Sequence, residues 1–164
     1  MNSNSTSGSG SVSASDEKFV REAAQGGMAE IALGELATEK ASSEEVKKFG
    51  RRMVDDHSKA ADDLKQISSS KGIQVPDKLS AKDRMTKDRL SKLSGEQFDR
   101  AYMSDMVKDH TQDVADLKLE SSSGTDPDVK HFAAITLPTL QDHLRQARRV
   151  STTLRHMILE FTEV

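Results

Sequence analysis

Four long segments of the chain space their apolar residues three and four positions apart, which places those side chains on one face of an α-helix. Three of the segments carry the same dipeptide on that face or beside it: Asp56-His57, Asp109-His110 and Asp142-His143. The first two pairs end similar pentapeptides, Met53-Val54-Asp55-Asp56-His57 and Met106-Val107-Lys108-Asp109-His110. The pattern predicts an all-α protein in which long amphipathic helices pack face to face, each of three helices contributing one histidine.

The composition supports this prediction and excludes several other classes of protein. Hydrophobic residues make up 34% and charged residues 31% of the 164 residues, a balance that suits one domain of helices with broad solvated faces. The net charge of -3 gives no field that would favour nucleic acid. The sequence contains no cysteine, which excludes disulfides and thiolate metal sites. No apolar run approaches the ~20 residues of a membrane span.

The chain divides into a leader and one helical domain. Residues 1–15 are mostly Ser, Gly and Asn, and they are expected to form a disordered linker because they bury too little apolar surface to offset the entropy of ordering. They have neither the basic start nor the apolar centre of a signal peptide. The leader is either a tether that follows a removed export signal or lipid anchor, or an ordinary tail or cloning remnant. Residues 16–164 are predicted to form the four-helix bundle.

Breaks in the pattern give the expected helix ends. Helices are predicted over about 16–41, 44–70 and 95–123, with a fourth starting near residue 127. Residues 73–94 are too long for a tight turn and predict a crossover with a short, mostly exposed helix, so that the second and third long helices can run parallel. Serines followed by Glu or Gln predict side-chain caps at two helix starts: Ser42 or Ser43 with Glu45, and Ser94 with Gln97. Pro138 is expected to kink the last helix.

Four ionisable residues fall at matching depths on the predicted core faces. Glu30, His57, His110 and His143 each lie about 14–17 residues into their helices, which is roughly 21–26 Å at 1.5 Å per residue. Reversing a helix leaves its midpoint in place, so helix direction does not disturb the match. We therefore expect these four side chains to meet in the interior. His131 and His156 miss the spacing and are expected to face outward.

A metal ion would satisfy all four buried side chains at once. Imidazole and carboxylate ligands suit a divalent transition metal such as zinc, iron or copper, and ligands of this kind do not select among them. The alternative is a metal-free polar layer in which Glu30 is hydrogen-bonded to protonated histidines. Asp56, Asp109 and Asp142 are either supports that orient an imidazole on a neighbouring helix or solvated charges at the edge of the core. The sequence decides neither between a metal ion and a polar layer nor between the two roles of the aspartates.

Further motifs accompany the Asp-His pairs: Phe19 to Glu30 followed by Leu33-Gly34-Glu35-Leu36-Ala37, Met53-Val54-x-Asp56-His57, Phe98-Asp99-x-x-Tyr102 leading to His110, and Leu137-Pro138-x-Leu140-x-x-His143. With these motifs the chain, from residue 16 to about 150, resembles a bacterial ferritin-like family known as domain of unknown function 4142. The resemblance implies a ferritin-like four-helix bundle with no established activity. It also implies an exported or lipid-anchored protein, which favours the periplasm or cell envelope as the location.

The di-iron pattern of other ferritin-like proteins does not carry over. That pattern has a Glu three residues before the His on two helices, whereas Val54, Val107 and Leu140 occupy these positions here. A single ion held by three histidines and one glutamate is therefore the expected site. The predicted function is metal binding for sequestration, sensing or stress defence. A metal-free interaction module is the alternative, and a redox metalloenzyme ranks last because four protein ligands close a site.

Overall fold

Five helices make up the fold of the described residues. The structure is a computed structural model that describes residues 11–161, with side chains described as far as residue 157. The helices are α1 Ala14–Lys40, α2 Glu44–Lys71, α3 Ala81–Ser91, α4 Gly95–Ser123 and α5 Pro127–Phe161. Most of the predicted linker lies outside the described residues, and α1 begins two residues before the predicted domain boundary. None of the described helices is long and apolar enough to cross a membrane.

The four long helices form a bundle of two hairpins, α1–α2 and α4–α5. α1 also packs on α4, and α2 packs on α5. Asp16 at the start of α1 contacts the loop after α4, and Lys71 at the end of α2 contacts Asp126 before α5, so these four ends lie together. It follows that α2 and α4 run parallel, joined by the crossover that carries α3. This confirms the predicted all-α, four-helix fold with the single long crossover of ferritin-like bundles.

The helix ends follow local rules in some places and tertiary contacts in others. Ser13 caps α1 by accepting a hydrogen bond from the backbone N–H of Asp16 at 3.2 Å. Gly72 ends α2 with φ at 66°, the left-handed conformation that glycine adopts without strain. The two predicted serine capping boxes are wrong, because neither Ser43 nor Ser94 makes a side-chain capping bond.

Two buried aspartates hold the loops instead. Asp99, near the start of α4, accepts hydrogen bonds from the backbone N–H groups of Ser42 and Ser43 at 3.1 and 2.9 Å and from the Ser42 hydroxyl at 2.7 Å. Asp16, near the start of α1, accepts bonds in the same way from Thr125 and from the backbone N–H of Asp126. Each hairpin therefore supplies a carboxylate that closes the loop of the other hairpin.

Close approach of α1 and α2 depends on Gly34 and Gly50. A Cβ atom added to Gly34 would lie 2.7 Å from the carbonyl oxygen of Gly50, and one added to Gly50 would lie 2.8 Å from the carbonyl oxygen of Gly34. Gly26 and Gly27, which lie earlier in α1, make no such contact. A Cβ at either of them would meet nothing within 4 Å.

We expect alanine substitutions in these two pairs of glycines to change the free energy of unfolding in opposite directions. Gly34→Ala is expected to lower the free energy of unfolding by about 1–2 kcal/mol, because the clash with backbone outweighs the gain of ~1 kcal/mol in helix propensity. Gly26→Ala meets no clash and should raise the free energy of unfolding by up to about 1 kcal/mol. Urea unfolding of both variants measures the difference. Equal effects of the two substitutions would contradict the proposed packing.

The core residues form one continuous interior whose middle layer contains the predicted site. One end is filled by large side chains such as Phe49, Phe98 and Tyr102, all without exposed surface. The other end contains smaller clusters around Val20 and Leu64 and around Val114 and Leu117. Met157 is 51% exposed near the end of α5. α5 is the longest of the described helices, and the side chains of residues 151–157 are exposed or half-buried.

Candidate metal centre

The structure brings the three predicted histidines together in the bundle interior. His57 on α2 is 6% exposed, whereas His110 on α4 and His143 on α5 have no exposed surface. The ring centres are 5.8 Å apart for His57 and His110, 5.5 Å for His57 and His143, and 5.3 Å for His110 and His143. The rings therefore occupy the corners of a nearly equilateral triangle. His131 and His156 are exposed, as their spacing predicted.

Hydrogen bonds determine which ring nitrogen of His110 and of His143 is free to bind a metal ion. His110 Nδ1 lies 2.9 Å from the carbonyl oxygen of Met106, and His143 Nε2 lies 2.7 Å from Oδ2 of Asp56. Since a carbonyl or carboxylate oxygen only accepts, each of these nitrogens carries the proton. In the neutral ring the other nitrogen then holds a free lone pair. Metal-binding histidines commonly have their second nitrogen bonded in this way.

The available nitrogens are buried without hydrogen-bond partners. His57 Nε2, His110 Nε2 and His143 Nδ1 all lack a partner among the described residues, and so does Oε2 of Glu30. One nitrogen from each ring lies within 4.8 Å of the other two. A buried polar atom without a partner costs about 1–3 kcal/mol. Four such atoms at one level of the bundle would cost roughly 4–12 kcal/mol in total, which is comparable with the whole free energy of unfolding of a domain.

Glu30 lies beside the histidine cluster rather than at its centre. It is 3% exposed on α1, and its carboxylate falls in a second group with His110 and Asp113, in which the ligand atoms are again within 4.8 Å of one another. The four predicted residues are thus arranged as two adjoining groups that share His110. Asp113, three residues after His110 on α4, is half-buried and contributes a second carboxylate.

Burial determines the charge of these groups. Removal from water lowers the pKa of His57 to about 3 and that of His110 to about 4, and it lowers the pKa of His143 as well. Burial, aided by nearby carboxylates, raises the pKa of Glu30 well above its ordinary value and raises that of Asp113 to about 7. At neutral pH the three imidazoles are therefore uncharged, which is the form that binds metals.

Only one of the three aspartates that precede the histidines contacts an imidazole. Asp56 on α2 bonds His143 on α5, and Arg52 holds Asp56 through Nε at 3.2 Å. Arg52 also bonds Asp142 at 2.7 Å, and this contact is the main cause of the lowered pKa of Asp142. Asp109 is partly buried and has no hydrogen bond to an imidazole in the part of the chain that the structure describes. The three aspartates therefore occupy different environments despite the repeated sequence.

Comparisons with known proteins are consistent with this fold. The family described as domain of unknown function (DUF4142) matches residues 2–150. The chain belongs to this family. The DUF4142 protein is also similar in structure to a crystallised DUF305 fragment from Deinococcus radiodurans, with a TM-score of 0.75 over 88% of this chain and 99% of that chain. At 18% identity this likeness shows the fold alone. Comparison with curated proteins finds no match.

Three residues near the centre of this DUF4142 protein were missed by sequence analysis. Asp113 was overlooked, although its spacing of three from His110 places both on one side of α4. Tyr102 was identified only as part of a motif, but its buried hydroxyl has no partner among the described residues. The charge of Glu30, after burial, raises the pKa of this hydroxyl. Arg52 was also overlooked, although its spacing of four from Asp56 on α2 favours an ion pair; its other partners, Asp142 and Gln146, lie on α5.

Proposed function

We propose that this DUF4142 protein binds one transition-metal ion in the middle of its bundle. His57 Nε2, His110 Nε2 and His143 Nδ1 are the nitrogen ligands, and Glu30 supplies a carboxylate. The observation that carries the proposal is the convergence of three partnerless, buried lone pairs from three different helices. An ion would give each of them a bond and remove the cost of burying them unpaired.

The metal-free polar layer has less support. It requires Glu30 to be ionised and hydrogen-bonded to protonated histidines. Within the described residues, no hydrogen bond joins Glu30 to a histidine, and burial favours the neutral form of all these groups. A layer of neutral, unpaired groups is the opposite of a stable polar network, in which every member has a partner.

The ligand set suits zinc, iron or copper. Tetrahedral zinc has nitrogen ligands at about 2.0–2.1 Å, which places those nitrogens roughly 3.3 Å from one another. One nitrogen from each of the three rings lies within 4.8 Å of the other two, which supports a shared ion between the rings. Asp56 supports this arrangement, since a carboxylate behind an imidazole fixes its orientation and raises its basicity.

The role that we propose is to hold the ion, for sequestration, sensing or stress defence in the bacterial cell envelope. Burial of the cluster favours retention, because an ion surrounded by packed side chains leaves slowly. The envelope location is supported by the family resemblance. Catalysis is the less favoured role, since the three histidines and Glu30 already provide four ligands.

Elemental analysis tests the proposal directly. Protein purified without a His tag, loaded in separate samples with zinc, iron and copper and then desalted, is expected to retain about one ion per chain for at least one metal. His131→Ala, at an exposed histidine, should retain the same amount, whereas His57→Ala should lose most of it. Less than about a tenth of an ion per chain with all three metals would overturn the proposal.

A further inference from the structure

A cavity of about 90 Å³ lies between α1, α2, α4 and α5, directly beside the histidine cluster. Its walls are mainly apolar, with aromatic and aliphatic side chains such as Phe19, Leu64 and Phe132. His57 and Asp113 form its polar inner part, and Glu22 and Asp116 also line it. Glu22 is exposed whereas His57 is buried, so the cavity extends from the surface to the cluster.

Two glycines of α1 create much of this space. Gly26 and Gly27 both line the cavity, and a Cβ atom at either position would meet nothing within 4 Å. Glycine within a helix is less favourable than alanine by about 1 kcal/mol. Neither glycine is required for packing, so the chain carries two unfavourable helix residues at a place where they leave a void.

The cavity borders one side of the histidine cluster, and the described side chains of Phe49 and Arg52 cover other sides. Phe49 packs edge-on against His110 and His143, with ring centres 6.2 and 6.5 Å away, and has no exposed surface. The Arg52–Asp56 pair covers the outer edge of His143. His57, whose Nε2 has no partner, is the cluster member that borders the cavity.

We propose that this cavity leaves one coordination position of the bound ion open to a small neutral molecule from solvent. This inference rests on the proposed metal site and deepens it. The volume is several times the ~10–15 Å³ that a cavity needs to hold one water molecule, so a ligand of two to four heavy atoms fits. The apolar walls disfavour a charged ligand, and Glu22, Asp113 and Asp116 further disfavour an anion. The open position requires that Glu30, which groups with His110 and Asp113 rather than with all three histidines, lies at the edge of the coordination sphere and does not close the site as a fourth ligand.

Carbon monoxide is a suitable probe because it is neutral, has two heavy atoms and binds copper(I). Protein loaded with copper and reduced anaerobically is exposed to carbon monoxide, and the infrared stretch of the bound molecule is recorded. The band is expected in the native protein. Gly27→Leu, which fills the cavity without replacing a proposed ligand, should suppress the band or raise the half-saturating pressure at least tenfold. Ala134→Leu, at an exposed position on α5, is the matched control and should behave as the native protein.

Copper content, measured on the same samples, separates the two proposals. Loaded copper with no carbonyl band, or with equal bands in the native protein and Gly27→Leu, would overturn the open position and leave the metal site intact. Failure to load copper, zinc or iron would overturn both. Ala60→Leu fills the same cavity from α2 and must reproduce the effect if Gly27→Leu folds poorly. On the copper(II) form, azide is expected to bind weakly, and tight azide binding would overturn the preference for a neutral ligand.

Discussion

Replacing His110 by alanine is expected to abolish metal-dependent stabilisation of the protein. His110 belongs both to the histidine cluster and to the group with Glu30 and Asp113, so its loss breaks the two at once. A ligand present at about 1,000 times its dissociation constant stabilises the native state by roughly 4 kcal/mol. Urea unfolding of the native protein should show an increase of this order on adding the metal that it retains. His110→Ala should show less than about 1 kcal/mol.

A matched pair of aspartate variants makes this test more specific. Asp56→Asn removes the carboxylate that bonds His143, and it should lower metal affinity by about 10–100-fold. Asp109→Asn changes the same dipeptide at a position that has no bond to an imidazole, and it should leave affinity within about twofold. If stability changes equally with metal and with chelator in the native protein and in His110→Ala, the polar layer is structural and the metal proposal fails.

The sequence alone identified the helices and the three histidines because both depend on local periodicity. Three-four spacing determines which side chains face inward, and His57, His110 and His143 obey it while His131 and His156 do not. Depth along a helix could be matched without knowing its direction, because reversal keeps the midpoint in place. Few bundle topologies are then compatible with a short loop between α1 and α2 and a long crossover before α4.

Tertiary detail was not accessible in this way. Ser43 and Ser94 have the sequence of capping residues, yet the N–H group of Ser43 bonds to Asp99, which is distant along the chain. Spacing indicated that Glu30 faces inward, but it could not show that this carboxylate groups with His110 and Asp113 rather than with all three histidines. Differences of a few ångströms depend on helix rotation, which periodicity does not specify.

Asp99→Ala is expected to be among the most destabilising single substitutions in the chain. Its carboxylate accepts three hydrogen bonds from the α1–α2 loop, and the residue is 1% exposed. Hydrogen bonds to a charged group contribute about 1.5–3 kcal/mol each, although losses at one site are not additive. Removing the carboxylate leaves the N–H groups of Ser42 and Ser43 without this acceptor. We therefore expect the free energy of unfolding to fall by about 3–4 kcal/mol.

Urea unfolding in chelator measures this loss without any contribution from metal. Asp99→Asn keeps one acceptor oxygen and nearly the same volume, so it should lose less, about 2 kcal/mol. Glu96→Ala, on an exposed side chain in the first turn of the same helix, should change stability by less than about 0.5 kcal/mol. A loss below about 1 kcal/mol for Asp99→Ala would mean that the loop is held chiefly by packing. If the loss is large, the register of α1 and α2 against α4, on which the meeting of Glu30, His57 and His110 depends, is held by one buried carboxylate at the end of the bundle.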